Sequence, residues 1–278
     1  MLFNYIHWNI NPEIFNYHGF AIRYYGLLFV IGLLLSLYVL RWIFNKENIA
    51  QKNLDKLAIY SMIGVLAGAR LGHCLFYEST YYLSNPLEMF LPIRILNEGD
   101  IEFIGYQGLA SHGGALGLIL ALIFYSIKTK QSIIKTADLI SIVAPLGGAF
   151  IRLGNFMNSE IIGKPTTKPW AIIFERIDNL PRHPAQLYEA FSYFLIFIIM
   201  ILLYKTKRET LKNGFFFGFT LVLIFSARFL IEFIKERQVA FEENLKLDMG
   251  QLLSIPYILI GIGFMIYTIR KIHRTASI

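Results

Sequence analysis

The sequence predicts an all-α, polytopic integral membrane protein of about seven transmembrane helices with a small extracytoplasmic cap, and three observations predict it. Of 278 residues, 55% are apolar and only 16% are charged, against roughly 45–50% and about 25% in soluble domains. Apolar runs of ~20 residues, the length that crosses a hydrocarbon core of roughly 30 Å, alternate with short charged connectors. The aromatic share, 15% with 16 Tyr and 24 Phe, suits lipid-facing and interfacial surface. The same composition excludes disorder and a collagen-like chain. Cys74 is the one cysteine, so no internal disulfide forms, and the absence of zinc-type Cys/His spacing or an HExxH motif predicts no metal site.

The elements follow in chain order. The N-terminus, MLFNYIHWNINPEIF, has neither a basic n-region nor a small-residue cleavage site, so the first apolar span is expected to be retained. That span covers 20–42. The second, 57–77, carries Gly64, Gly68 and Gly72, a doubled small-xxx-small pattern that predicts a helix-packing face. The third, 108–127, begins with His112 followed by Gly113 and Gly114, small enough to admit another backbone or a lipid, or simply to pack closely. The fourth, 137–153, is short and interrupted by Pro145, Gly147 and Gly148, which predicts a kinked or re-entrant helix buried by protein. Residues 154–184 contain the alternating stretch WAIIFERID and are expected to form a small strand-containing cap. Spans 185–204, 214–234 and 251–269 complete what is expected to be a single membrane domain, 1–278.

Orientation follows from charge. The connectors after spans 1, 3 and 5, with the C-terminus, hold fourteen Lys and Arg against only Glu47, Asp55 and Glu209. The opposite connectors include an acidic one, with Glu78, Glu88, Glu98, Asp100 and Glu102, and mixed ones near 154–184 and 235–250. The positive-inside rule then places the N-terminus outside and the C-terminus in the cytoplasm. The net charge of +7 is topological, and no nucleic-acid partner is needed to explain it.

With that orientation, the polar residues of the spans sort by depth. Tyr25 starts span 1, Arg70 lies late in span 2, His112 early in span 3 and Arg152 late in span 4. His183 and Gln186 stand at the start of span 5, Arg228 and Glu232 late in span 6, and Gln251 at the start of span 7. All fall toward the outer ends. Charge inside a bilayer is costly unless paired or facing water, so convergence at one depth predicts one polar cavity at the outer leaflet. Three arginines against the single evident embedded acid, Glu232, predict a positive surplus, and the guanidinium fork suits phosphate oxygens. A phospholipid head group is the natural ligand, with a histidine as proton acceptor. Taken singly, Arg70 and the Arg228/Glu232 pair, four residues apart on one face, also fit structural pairing or snorkelling. His73 has no evident partner, His7, His18 and His273 fit interfacial positions, and Cys74 fits a small helix residue with no activating neighbours.

The segment RLGNFMNSEIIG, 152–163, crowds Arg152, Asn155, Asn158 and Glu160 at one membrane edge, more than a hydrogen-bonded turn explains. It resembles the signature of the prolipoprotein diacylglyceryl transferases, integral enzymes of the bacterial cytoplasmic membrane. Further blocks resemble that family in family order: IRYYGLLF at 22–29, GARLGHCLFY at 68–77, SHGGALG at 111–117, ADLISIVAPLG at 137–147, RHPAQLYEA at 182–190, ARFLIEFIKE at 227–236 and MGQLLSIP at 249–256. The loop from about 78 to 111 departs from it, being longer and more acidic than the usual glycine-rich entry.

The resemblance implies a reaction. The family moves the diacylglyceryl group of phosphatidylglycerol to the lipobox cysteine thiol of a preprolipoprotein, forming a thioether and releasing glycerol phosphate, the first step of lipoprotein maturation. It implies no metal or organic cofactor. It makes His112 the candidate general base and Arg152 and Arg228 the phosphate contacts, with Asn155, Glu160 and Glu232 as polar site residues, Tyr25 as the family tyrosine of the first span and His183 as the histidine of the RHP block. Arg70 joins them as a candidate substrate-binding residue on its depth. Because the thiol belongs to the substrate, the enzyme needs no cysteine of its own. The competing reading is a transporter or flippase for an anionic lipid, but the halves show no internal repeat and the polar residues avoid the midplane. An intramembrane protease would need a catalytic pair that is not evident in the sequence.

Overall fold

Seven helices are long and apolar enough to cross a membrane: Tyr24–Lys46, Gln51–Phe76, His112–Thr129, Ile133–Met157, Ala185–Lys207, Phe215–Glu232 and Met249–Arg270. The computed structural model describes residues 5–17, 20–91, 93–95, 100–103, 108, 110–237 and 247–276. His18, Glu98 and residues 238–246 of the last connector lie outside them. The chain divides into two compact units, residues 1–43 with 137–278, and residues 44–136.

In the first unit, strand β1 (Ile6–Trp8) is followed by the hairpin β2 (Glu13–Tyr17) and β3 (Phe20–Arg23), which runs straight into α1 (Tyr24–Lys46). The apolar run from residue 20 is thus strand before it is helix. Helices α2 to α5 belong to the second unit. Helix α6 (Ile133–Met157) is followed by β6 (Ile172–Phe174) and β7 (Pro181–Arg182), then α7 (Ala185–Lys207), α8 (Phe215–Glu232) and α9 (Met249–Ala276). The expected strand in WAIIFERID is β6. It pairs in parallel with β1, Ile6 opposite Ile172 and Trp8 opposite Phe174, and antiparallel with β7. Phe156, Ile162, Ile172 and Phe174, with Trp8 packed against them, form the apolar core under this small sheet.

The fourth span, expected to be short and kinked or re-entrant, is a continuous helix of 25 residues with Pro145 inside it, long enough to cross rather than re-enter, and its polar neighbours explain how it carries the proline. Pro145 lacks an N–H, which frees the carbonyl four residues back, that of Ser141. The buried Thr220 of α8 donates its hydroxyl to that carbonyl at 3.1 Å. One turn earlier the fully buried Asp138 accepts the N–H of Gly214 at 2.7 Å and that of Phe217 at 2.8 Å, capping α8 from another helix. Gly214 serves this turn with φ at 105°. Thr220→Val keeps the shape and removes the donor, so it is expected to cost about 1–2 kcal/mol, seen as a lower melting temperature in detergent. Helices α8 and α9 pack through Gly218 and Gly261, each set against the other's carbonyl.

In the second unit, α2 (Gln51–Phe76) leads to two short helices, α3 (Ser79–Ser84) and α4 (Pro86–Phe90), then the hairpin β4 (Ile93–Ile95) and β5 (Ile101–Phe103), then α5 (Ser111–Thr129). The long acidic loop therefore has structure of its own. Gly64, Gly68 and Gly72 of α2 face Gly113 and Gly117 of α5 so closely that an added Cβ would strike backbone atoms. This identifies the small-residue stripe as a packing face, and it settles Gly113 as close helix packing.

Candidate active site

The first unit assembles its polar residues at the end of α6. There RLGNFMNSEIIG leaves the helix through a left-handed turn, with Ser159 at φ 56° and Ile161 at φ 58°. A β-branched residue in that region costs roughly 1–2 kcal/mol. The turn folds Glu160 back over the helix: its N–H reaches the Asn155 carbonyl at 2.9 Å. Its carboxylate accepts from Asn155 Nδ2 and Asn158 Nδ2, each at 3.0 Å. Gln186 Nε2 on α7 donates to the Glu160 carbonyl at 2.5 Å.

Arg152 stands one turn before this loop. Its Nη1 donates to Asn155 Oδ1 at 3.2 Å, and its Nε lies 2.6 Å from Glu189 Oε2. Arg152 also lies within electrostatic reach of Tyr193. A guanidinium has five N–H donors, so Arg152 is held by Asn155 and Glu189 with donors to spare among the described residues. Tyr25 packs over the same turn, where a Cβ on Gly154 would come within 2.8 Å of its ring, and it lies within electrostatic reach of Glu160 and Arg152.

Glu189 is the residue that sequence reasoning missed. It is 0% exposed near the N-terminal end of α7, just before the helix's long apolar run. Besides Arg152 it faces Lys235 Nζ at 3.9 Å, and Lys235, itself buried, binds Glu232 Oε2 at 3.0 Å. The expected excess of arginine over acid is therefore corrected: Glu189 and Glu232 both stand among these cations, with Lys235 added to them. The signal was present as a lone acid at the head of an apolar run, a costly placement without a partner. Glu232 pairs with Lys235 instead of Arg228, and Gly250 of α9 lies so close to its carboxylate that a Cβ would collide with it.

Arg228 is different. It is half-buried in α8, shares electrostatic reach of Tyr193 with Arg152 and Glu189, and makes no hydrogen bond or ion pair among the described residues. Arg152 offers directed, pinned donors, and Arg228 offers a guanidinium that no carboxylate among the described residues occupies. Together they suit an anion with several oxygens.

His183 sits beside this loop. Its carbonyl accepts the Gly163 N–H at 2.9 Å, and a Cβ on Gly163 would come within 2.6 Å of the His183 Cβ. Trp170 Nε1 donates to the Tyr188 hydroxyl at 2.8 Å, and that hydroxyl shares a hydrogen bond of 3.1 Å with His183 Nδ1. Burial, with Lys168 nearby, holds the imidazole below its ordinary value of 6.5. Its neutral form is thus favoured in the folded state, so the associated stability is complete above about pH 6.5 and is lost as pH falls through the lower folded value. His183→Gln is expected to flatten the loss of melting temperature between pH 6.5 and 5.

Arg70 and His112 belong to the second unit. Arg70 is buried, donates to the carbonyls of Glu88 at 2.6 Å and Met89 at 3.2 Å, and lies over the Tyr82 ring at 4.8 Å. These contacts tie α2 to α4. His112 is exposed at the start of α5, and its Nε2 shares a hydrogen bond of 2.8 Å with the hydroxyl of Tyr77, whose ring stacks on it. Tyr77 stacks in turn on His73, which lies 3.4 Å from Glu78 Oε1. Cys74 is buried, in keeping with a small helix residue.

Comparison with known proteins agrees with the blocks read from the sequence. The family description "Prolipoprotein diacylglyceryl transferase" matches residues 12–267. A phosphatidylglycerol--prolipoprotein diacylglyceryl transferase of Bacteroides fragilis is 51% identical over 266 residues, covering 96% of each chain. The protein of the same name from Tolumonas auensis is 43% identical over 96% of this chain and 99% of its own, and that from Chloroherpeton thalassium 42% over 96% of each. A likeness that runs the length of both chains takes in every element that builds the polar cluster, from Tyr25 on α1 to Gly250 on α9, and on it the chain belongs to the prolipoprotein diacylglyceryl transferase family.

Proposed function

We propose that this chain transfers the diacylglyceryl group of phosphatidylglycerol to the lipobox cysteine of preprolipoproteins. The sulfur attacks the glycerol carbon that bears the phosphate ester. A C–S bond forms, the C–O bond breaks, and glycerol phosphate leaves with the electron pair. The observation that carries this reading is the arginine pair: Arg228 without a carboxylate among the described residues, and Arg152 pinned by Glu189 and Asn155 with donors left over. Negative charge grows on the departing phosphate, and pre-aimed guanidinium groups stabilise it without reorganising. Asn155, Glu160 and Tyr25 line the approach to Arg152, and Lys235 holds the Glu232 carboxylate in place.

A thiol with a pKa of about 8.5 is mostly protonated at neutral pH and needs a base. We assign that role to His112, on the family resemblance; its bond to Tyr77 fixes the ring and leaves Nδ1 to take the proton. His183, neutral at pH 7, is assigned to the glycerol phosphate or thiol side of the same reaction, and Arg70 to the support of the segment over α2. The charge asymmetry of the connectors supports a cytoplasmic-membrane protein with the N-terminus outside and the C-terminus in the cytoplasm. The small sheet of β1, β6 and β7 then forms the extracytoplasmic cap.

Purified protein incubated with phosphatidylglycerol vesicles and a lipobox peptide is expected to give, by mass spectrometry, a diacylglyceryl adduct on the Cys peptide and none on its Ser counterpart. Folded protein that yields no Cys-dependent adduct overturns the reading. His112→Gln is expected to abolish turnover in inserted, folded protein, and wild-type rates in that variant would remove His112 as the base.

A further inference from the structure

The short helices α3 and α4 are built inside out. The carboxylate of Glu88, 2% exposed, is turned inward, accepting the Tyr81 hydroxyl at 2.7 Å and the Ile95 N–H at 2.9 Å, while Arg70 grips the carbonyls beside it. On the outside stand Leu83 at 66%, Leu87 at 60% and Phe90 at 65% exposure. Leu87 and Phe90, three residues apart, share one face of α4, and Leu83 is the exposed apolar residue of α3 just before the break at Asn85. A water-soluble surface would have the opposite arrangement, since exposed apolar area costs about 25 cal/mol per Å². The face continues from the exposed Phe76 that ends α2, a helix that crosses the membrane, and α3 begins at Ser79.

We infer that α3 and α4 lie in the interfacial layer of the bilayer, with Leu83, Leu87 and Phe90 in the upper acyl chains and the Glu88–Arg70 contact as the pin on the protein side. The occupant of this face is lipid. Continuity with α2's membrane-facing surface places it there, and an amphipathic segment of this kind binds through its buried apolar area. Pinning by Arg70 makes the segment follow the end of α2. Tyr77, the residue after α2, hydrogen-bonds His112, so the depth of this float also sets the depth at which the imidazole is held. Burial would raise the Glu88 carboxyl, but the Ile95 N–H, the Tyr81 hydroxyl, Arg94 and Arg70 hold it below its usual range, so the inward carboxylate that knits α4 to Tyr81 and Ile95 stays charged.

The test is depth-resolved. Single cysteines Leu83→Cys, Leu87→Cys, Phe90→Cys and, as a water-exposed control, Glu209→Cys are placed in a Cys74→Ala chain, spin-labelled and reconstituted in vesicles of phosphatidylglycerol and phosphatidylethanolamine. Collision with oxygen relative to a water-soluble nickel chelate is expected to be several-fold higher at 83, 87 and 90 than at 209. Nickel accessibility equal to that at 209 overturns the proposal, as does protection from both reagents, which would mean a covering protein or second copy. Should Cys74→Ala fold poorly, the same labels go into the native chain, where Cys74 is buried and a labelling ratio of one per chain checks it. The pair Leu87→Glu and Phe90→Glu, exposed positions, is expected to move the label at 83 into water; an unchanged oxygen preference at 83 counts against the float.

Discussion

Arg152→Ala is expected to reduce diacylglyceryl transfer by roughly 10²–10³-fold or more, because on the proposed mechanism it removes the donors that would meet the developing phosphate charge. Arg152→Lys should recover little, since an ammonium cannot reproduce a fork held on Glu189 and Asn155 at once. The substitution has a second consequence. It strips Glu189 of its nearest cation and leaves a fully buried carboxylate with, among the described residues, only Lys235 paired to it at 3.9 Å, and breaking a buried pair by removing one partner costs about 3–5 kcal/mol. Loss of activity and loss of folding must therefore be separated. Arg152→Ala combined with Glu189→Ala removes both charges and should recover most of the thermal stability while remaining inactive. Folded Arg152→Ala that turns over near the wild-type rate would show that the guanidinium has no part in the chemistry. Glu189→Gln is the complementary case: the pin becomes neutral, the guanidinium stays, and the rate should fall by less than in Arg152→Ala.

How much of this was legible in the sequence depends on the range of the physics involved. The spans were legible because a run of apolar residues is a local property. Their ends were not. Gln51 to Lys56 are helical yet mostly polar, so hydropathy places the start of α2 at 57, and Phe20, Ala21 and Ile22 are apolar yet lie in β3. Pro145 misled for a related reason: its cost is local, but the compensation comes from Thr220, on another helix. Glycine spacing announced a packing face on α2, and only the fold could say that α5 was the partner. Arg152, Asn155 and Glu160 were legible as a site because they sit within nine residues of one another, which is also why their hydrogen bonds form. Glu189 and Lys235 were not, since each acquires its meaning from a partner on a different element. The parallel pairing of β1 with β6 joins the two ends of a long stretch of chain, and no pattern in Ile6–Trp8 points to it.

Gly117→Leu is expected to prevent the second unit from assembling. A Cβ at Gly117 would overlap the Gly64 carbonyl oxygen and lie 2.8 Å from its carbon and 3.1 Å from the Gly68 Cα. All three are backbone atoms of a helix and cannot rotate aside as a side chain would. Helices in lipid gain nothing from the hydrophobic effect on meeting each other, so close backbone approach is the source of their association. A leucine that separates α2 from α5 removes that source over the whole stripe from Gly64 to Gly72, beyond the roughly 1–3 kcal/mol of ordinary overpacking. Gly263→Leu is the control, because a Cβ there meets nothing within 4 Å. Detergent-solubilised Gly117→Leu should be cleaved rapidly by protease where the parent and Gly263→Leu resist; equal resistance of all three would mean that α2 and α5 do not meet at these glycines. Gly117→Ala should be intermediate, folded with reduced activity. His112 and Gly113 are adjacent on α5, so any separation at the stripe moves the imidazole away from Tyr77 on α2's side. The packing face and the candidate base are thus parts of one mechanical element, and activity should fall before the unit unfolds.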